Sequence, residues 1–89
     1  MNYEIHLTVH VRDAAVAEAV ARALHWKTSR IDGDPVLGAK PFFYLTTHAA
    51  DVRQAALRLA NCKHALEDRL VPLIREKIEH IIYDVRHSA

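Results

Sequence analysis

The chain has 89 residues with 12 basic against 11 acidic side chains, so it is one small, nearly neutral domain and not a coat for polyanions, which needs a surplus of Lys and Arg. A single cysteine, Cys62, excludes an internal disulfide framework and a Cys-based zinc finger. No apolar run reaches the about 18 residues of a membrane span, and Met1 to Asp13 hold no signal-peptide core, so the expected location is the cytoplasm.

Tyr3 to Arg12 alternates strictly. Tyr3, Ile5, Leu7, Val9 and Val11 fall on one face, and Glu4, His6, Thr8, His10 and Arg12 on the other, the pattern of a half-buried strand. Asp13 is placed to cap an Ala-rich helix with Val16, Val20, Ala23 and Leu24 at helical spacing. Trp26 to Asp32 reads as a second strand, ended by Gly33-Asp34-Pro35, and Val36 to Lys40 completes a long hairpin connection. Pro41 to Thr47 is a third strand, with Phe43 and Leu45 on one face and Phe42, Tyr44, Thr46 and His48 on the other.

A second helix is expected from Thr47 or His48, with Val52, Ala56, Leu59, Cys62 and Leu66 as its apolar stripe, until Pro72 interrupts the pattern. A last β-rich segment follows from about Ile74 to Arg86. The order βαββαβ predicts an α+β, ferredoxin-like sandwich over residues 1–89: a four-stranded antiparallel sheet in order 4-1-3-2 with two helices on one face. In the last strand, Arg75, Lys77 and Glu79 share a face that continues into apolar Ile81, Tyr83 and Val85. A β-bulge near His80 would swap the faces. Without one, this edge strand exposes an apolar end.

The sheet face without helices is where function is expected. It should gather Glu4, His6, Thr46, His48 and Lys27 at one end, and His10, Phe42, Arg75 and Lys77 toward the other. The favoured ligand is a small anion, a phosphate or carboxylate compound, held by Lys27, Arg75, Lys77 and protonated histidine. An alternative is a metal or acid–base centre made of His6, His48 and Glu4, because imidazoles and a carboxylate on adjacent strands suit zinc or proton transfer. Cys62 lies on an apolar stripe and reads as a small hydrophobe, not a nucleophile.

Lys40-Pro41-Phe42-Phe43-Tyr44 loosely echoes the third-strand aromatics of RNA-recognition motifs, but the balanced charge makes nucleic acid an unfavoured partner. Phe42, Tyr44, Ile81, Tyr83 and Val85 would suit a two-fold interface, so a homodimer is expected, and a purely structural dimerisation unit stands as a further alternative. No GxGxxG, GxxxxGK[ST], HExxH or GxSxG string occurs, and no cofactor is expected.

Glu4-Ile5-His6-Leu7-Thr8-Val9, Gly33-Asp34-Pro35-Val36-Leu37-Gly38 and Arg75-Glu76-Lys77-Ile78-Glu79 together resemble strings in a family of small bacterial proteins with a ferredoxin-like domain. The resemblance implies a self-contained domain and no particular activity.

Overall fold

The computed structural model describes residues 2–31 and 42–82. Strand β1 (Asn2–His10) leads through a 3-10 turn (Val11–Asp13) into helix α1 (Ala14–Leu24). Strands β2 (Lys27–Ile31) and β3 (Phe42–Ala49), helix α2 (Val52–Asp68) and strand β4 (Leu73–Ile81) follow. The strands form one antiparallel sheet in order β2-β3-β1-β4, the topology of the ferredoxin-like fold read from the sequence. The expected hairpin connection, from Gly33 to Lys40, and Tyr83 and Val85 lie outside the described residues. No helix among the described residues is long and apolar enough to cross a membrane.

The alternation of β1 sets the two layers. Ile5, Leu7 and Val9 are fully buried and pack with Phe43 and Leu45 of β3, Ala17, Val20 and Ala21 of α1, and Ala55, Cys62 and Leu66 of α2. On α1 the buried stripe is Ala17, Val20 and Ala21, while Val16 and Ala23 of the expected stripe are exposed. Their Ala neighbours let the helix lie close to the sheet. On α2, Leu59, Cys62 and Leu66 pack as expected, but Val52 and Ala56 are exposed and Ala55 takes the buried place. Val52 sits in the open first turn, and Ala56 is one residue off the stripe.

The ends of β1 and β3, the cap of α1 and the start of α2 differ in detail from the sequence reading. β1 stops at His10, because the His10 Nδ1 accepts a hydrogen bond from the Arg12 amide at 3.0 Å and winds the chain into the 3-10 turn. Asp13 occupies the N-cap position of α1 but makes no capping hydrogen bond. β3 runs on through Ala49, since Thr47 and Ala49 are buried opposite Ile5 and Tyr3. α2 therefore starts later, with Asp51 as its cap: Oδ1 accepts from the Gln54 amide at 2.7 Å, and Gln54 Oε1 accepts from the Ala50 amide at 3.0 Å.

Both helices end in the same way. His25 (φ 63°) and Leu70 (φ 58°) take the left-handed conformation, and the next amides, Trp26 and Val71, donate back to Ala21 and Leu66 at 2.7 and 3.0 Å. Trp26 and Val71 are thereby turned into the core, the hydrophobic closure that accompanies a Schellman motif. Of the two readings of the last strand, the one without a bulge near His80 holds. Arg75 to Ile81 stay in unbroken register with Thr8 to Asn2, and the irregularity lies between Thr8 and Val9, where Ile74 is the extra residue. Ile81 consequently shares the open face with Glu79, and Ile82 is exposed. On the helix side of the sheet, the Tyr3 and His80 rings stack with centroids 4.6 Å apart.

Two outcomes are expected from this core. Leu7→Ala, at a fully buried position on the central strand, should lower the unfolding free energy by about 2–5 kcal/mol in urea melts; an unchanged midpoint contradicts the placement of β1. Burial pushes the Cys62 thiol up to about 11, so at pH 8 its alkylation should run at the rate of unfolding, and fast alkylation of the folded protein would count against the packing of α2.

Candidate functional site

Neither of the two described helices packs on the opposite sheet face, and register dictates what that face presents. Across β3 and β1, His48 stands opposite Glu4, Thr46 opposite His6 and Tyr44 opposite Thr8. Across β1 and β4, Glu4 faces Glu79, His6 faces Lys77 and Thr8 faces Arg75. On the other flank, β2 sets Lys27 beside Thr46 and Ser29 beside Tyr44. Directly opposed residues project to the same side, so these form one polar surface.

At one end the side chains are knitted together around Glu4. His6 Nε2 lies 2.6 Å from Glu4 Oε1 and 3.1 Å from Glu79 Oε1, and His48 Nε2 donates to Glu4 Oε2 at 2.9 Å. The other ring nitrogen of His6, Nδ1, is 3.1 Å from Thr46 Oγ1. Glu79 Oε1 is shared, because Lys77 Nζ reaches it at 3.2 Å. The Lys77 ammonium bonded to Glu79, helped by His6, holds the Glu79 carboxyl below the usual carboxylate range. The ligand atoms of Glu4, His6 and Glu79 all lie within 4.8 Å of one another.

Beside this cluster, toward the middle of the sheet, is a shallow depression of about 250 Å³. His6 and Lys77 form its boundary with the cluster, Thr8, Ser29 and Thr46 supply hydroxyls, Tyr44 gives a ring, and Arg75 lines the far wall. Thr8 is buried within it, held under the residues opposite on both sides. Arg75 is half-buried and has no ion-pair or hydrogen-bond partner among the described residues.

The sequence-derived site thus divides. Glu4, His6 and His48 do come together, and Lys77 joins them instead of the far end, because the β1–β4 register sets it opposite His6. Arg75 lies centrally, away from Glu4. Lys27 is exposed on the edge strand and lines a different hollow, with Glu18, Arg22 and Trp26. Glu79 was not among the expected ligands, although the alternation of Arg75, Lys77 and Glu79 carries the signal once the register to Glu4 is known. Phe42 is only 5% exposed, so it offers neither the stacking platform of an RNA-recognition surface nor an exposed centre for a two-fold interface.

No protein-family model matches the chain, and no curated protein does. Among solved structures, one provisionally described as an antibiotic biosynthesis monooxygenase from Chloroflexus aurantiacus J-10-fl aligns over 97% of this chain and 98% of its own, at 11% identity and a TM-score of 0.49.

The Glu79–Lys77 pair gives a direct test of the site geometry. In a carboxyl NMR titration, Glu79 should have its midpoint below the ordinary glutamate value, and Lys77→Met should move it upward. The stabilising contribution of the pair is present above the ordinary glutamate range and lost as pH falls through the depressed value; at this exposure it is small. A Glu79 midpoint indifferent to Lys77 contradicts the pairing.

Proposed function

We propose that this chain is a binding module for a small anion, a phosphate or carboxylate compound, held in the depression of the open sheet face. One observation carries the reading: the half-buried Arg75 guanidinium lines a polar hollow with no acceptor supplied by the described residues. A guanidinium partly withdrawn from water without an acceptor is costly, and an oxyanion supplies two acceptors in the geometry of its fork. The hydroxyls of Ser29, Thr8 and Thr46 complete a set of donors around the same hollow, and the Tyr44 ring offers a flat wall for an organic part. Lys77 can add a second cation, at the cost of its bond to Glu79.

The hollow is shallow, and a ligand in it would remain largely open to solvent, whereas small-molecule sites usually enclose most of the ligand surface. A second copy laid over this face would complete the enclosure, and that assembly is part of the reading. Sedimentation equilibrium with benzoate present should then return about twice the 10.1 kDa chain mass. A monomer at high micromolar concentration removes the dimer from the account and leaves the anion site standing.

The anion site itself is tested by calorimetric titration with inorganic phosphate and with benzoate. Arg75→Met should weaken the better of the two by about tenfold or more, the worth of one charge-assisted hydrogen bond. Arg53→Met, on the exposed face of α2, should leave it unchanged. Equal affinities for wild type and Arg75→Met would contradict the site.

A further inference from the structure

The geometry points to a divalent transition-metal site formed by Glu4, His6 and Glu79, whose filling releases Lys77 from Glu79 into the neighbouring depression. Two carboxylates converge on one imidazole nitrogen. His6 Nε2 is 2.6 Å from Glu4 Oε1 and 3.1 Å from Glu79 Oε1, and a single N–H there must serve both oxygens. An ion in that position satisfies all three donors at once. Around zinc, ligand atoms at about 2.0–2.2 Å stand roughly 3.3 Å apart, so His6 would back off slightly from both oxygens while the Glu4 and Glu79 oxygens, within 4.8 Å of each other, settle at that spacing. Three protein ligands leave a position free for water or an anion.

The remaining contacts have the form of a support for such a site. Thr46 Oγ1, 3.1 Å from His6 Nδ1, can either donate to that nitrogen or accept from it. With an ion on Nε2, the ring proton resides on Nδ1 and is donated to Thr46, which fixes both the tautomer and the ring plane. His48 holds the second oxygen of Glu4 in the same way. The ligands stand on paired strands, with Glu4 and His6 two residues apart on the central strand and Glu79 directly opposite Glu4. The imidazole favours zinc-like ions over magnesium, which prefers an all-oxygen shell.

The second half of the inference follows from the shared oxygen and rests on the anion reading above. Lys77 and His6 both approach Glu79 Oε1, at 3.2 and 3.1 Å. A metal that takes this oxygen displaces the ammonium, and Lys77 already lines the depression. Cation and anion should therefore strengthen each other's binding, and by equal factors.

Calorimetry on the full chain separates the parts. Zinc chloride should bind as a single ion per chain at this site, and magnesium chloride should not compete at equal concentration. His6→Gln and Glu79→Gln should each weaken zinc by about tenfold or more, as should Thr46→Val through the lost support, while His64→Gln on α2 should have no effect. Sulfate, chosen because it stays soluble with zinc, should bind more tightly to the zinc-loaded protein than to the metal-free one, and Lys77→Met should abolish that gain while keeping zinc. Zinc binding unchanged in both His6→Gln and Glu79→Gln overturns the metal site. A sulfate gain that persists in Lys77→Met overturns the release of Lys77. Sulfate binding to metal-free protein and its dependence on Arg75 test the anion reading separately, so either can fail alone.

Discussion

The structure depends on one constraint: β1 is hydrogen-bonded along both of its edges. A strand paired on both sides cannot slip by one residue without carrying Glu4, His6 and Thr8 into the helix-facing core and Ile5, Leu7 and Val9 out of it. The burial of three fully enclosed aliphatic side chains therefore fixes the polar face as firmly as it fixes the core. The three central open-face residues of β1 each acquire two neighbours from this register. Glu4 gains His48 and Glu79, His6 gains Thr46 and Lys77, and Thr8 gains Tyr44 and Arg75. The site is the reverse side of the core.

The parts of the fold legible in the sequence were those governed by period. The alternation of Tyr3 to Val9 and the i, i+3, i+7 spacing of Leu59, Cys62 and Leu66 each report a burial pattern directly, and together they give the βαββαβ order. What period does not report is where one element yields to the next. β3 continues past Thr47 to Ala49 because Glu4 and Tyr3 of β1, more than forty positions earlier in the chain, pair with His48 and Ala49, and no local signal says so. The turn after His10 is a competition that a side chain decides, the imidazole offering the Arg12 amide an acceptor that a continuing strand would not. Alternation also left open whether a bulge near His80 swaps the faces of β4; the register runs unbroken there, and the irregularity lies at Ile74.

The site was legible by face and only partly by neighbour. Alternation put Glu4, His6, Arg75 and Lys77 on the same surface, but the stagger of β4 against β1 decides that Lys77 meets His6 and that Glu79 meets Glu4. Alternation also placed Glu79 on this face; what it could not supply is the partner, Glu4, that makes Glu79 a candidate ligand. The resulting surface joins an acidic, histidine-bearing end to a cationic hollow through His6 and through the pair Lys77–Glu79. Ion pairs exposed to this extent are individually weak, so exchanging one partner for a bound ion is a low-cost rearrangement. A surface of this kind can respond to a ligand without any change of fold.

The claim that function resides on the open sheet face is tested most directly by following the amide resonances of the intact protein during a phosphate titration. The account predicts saturable shifts grouped at His6, Thr8, Ser29, Tyr44, Thr46, Arg75 and Lys77, with α1 and the outer face of α2 unmoved. Saturable shifts confined to the helical layer, with these open-face resonances stationary, would contradict it.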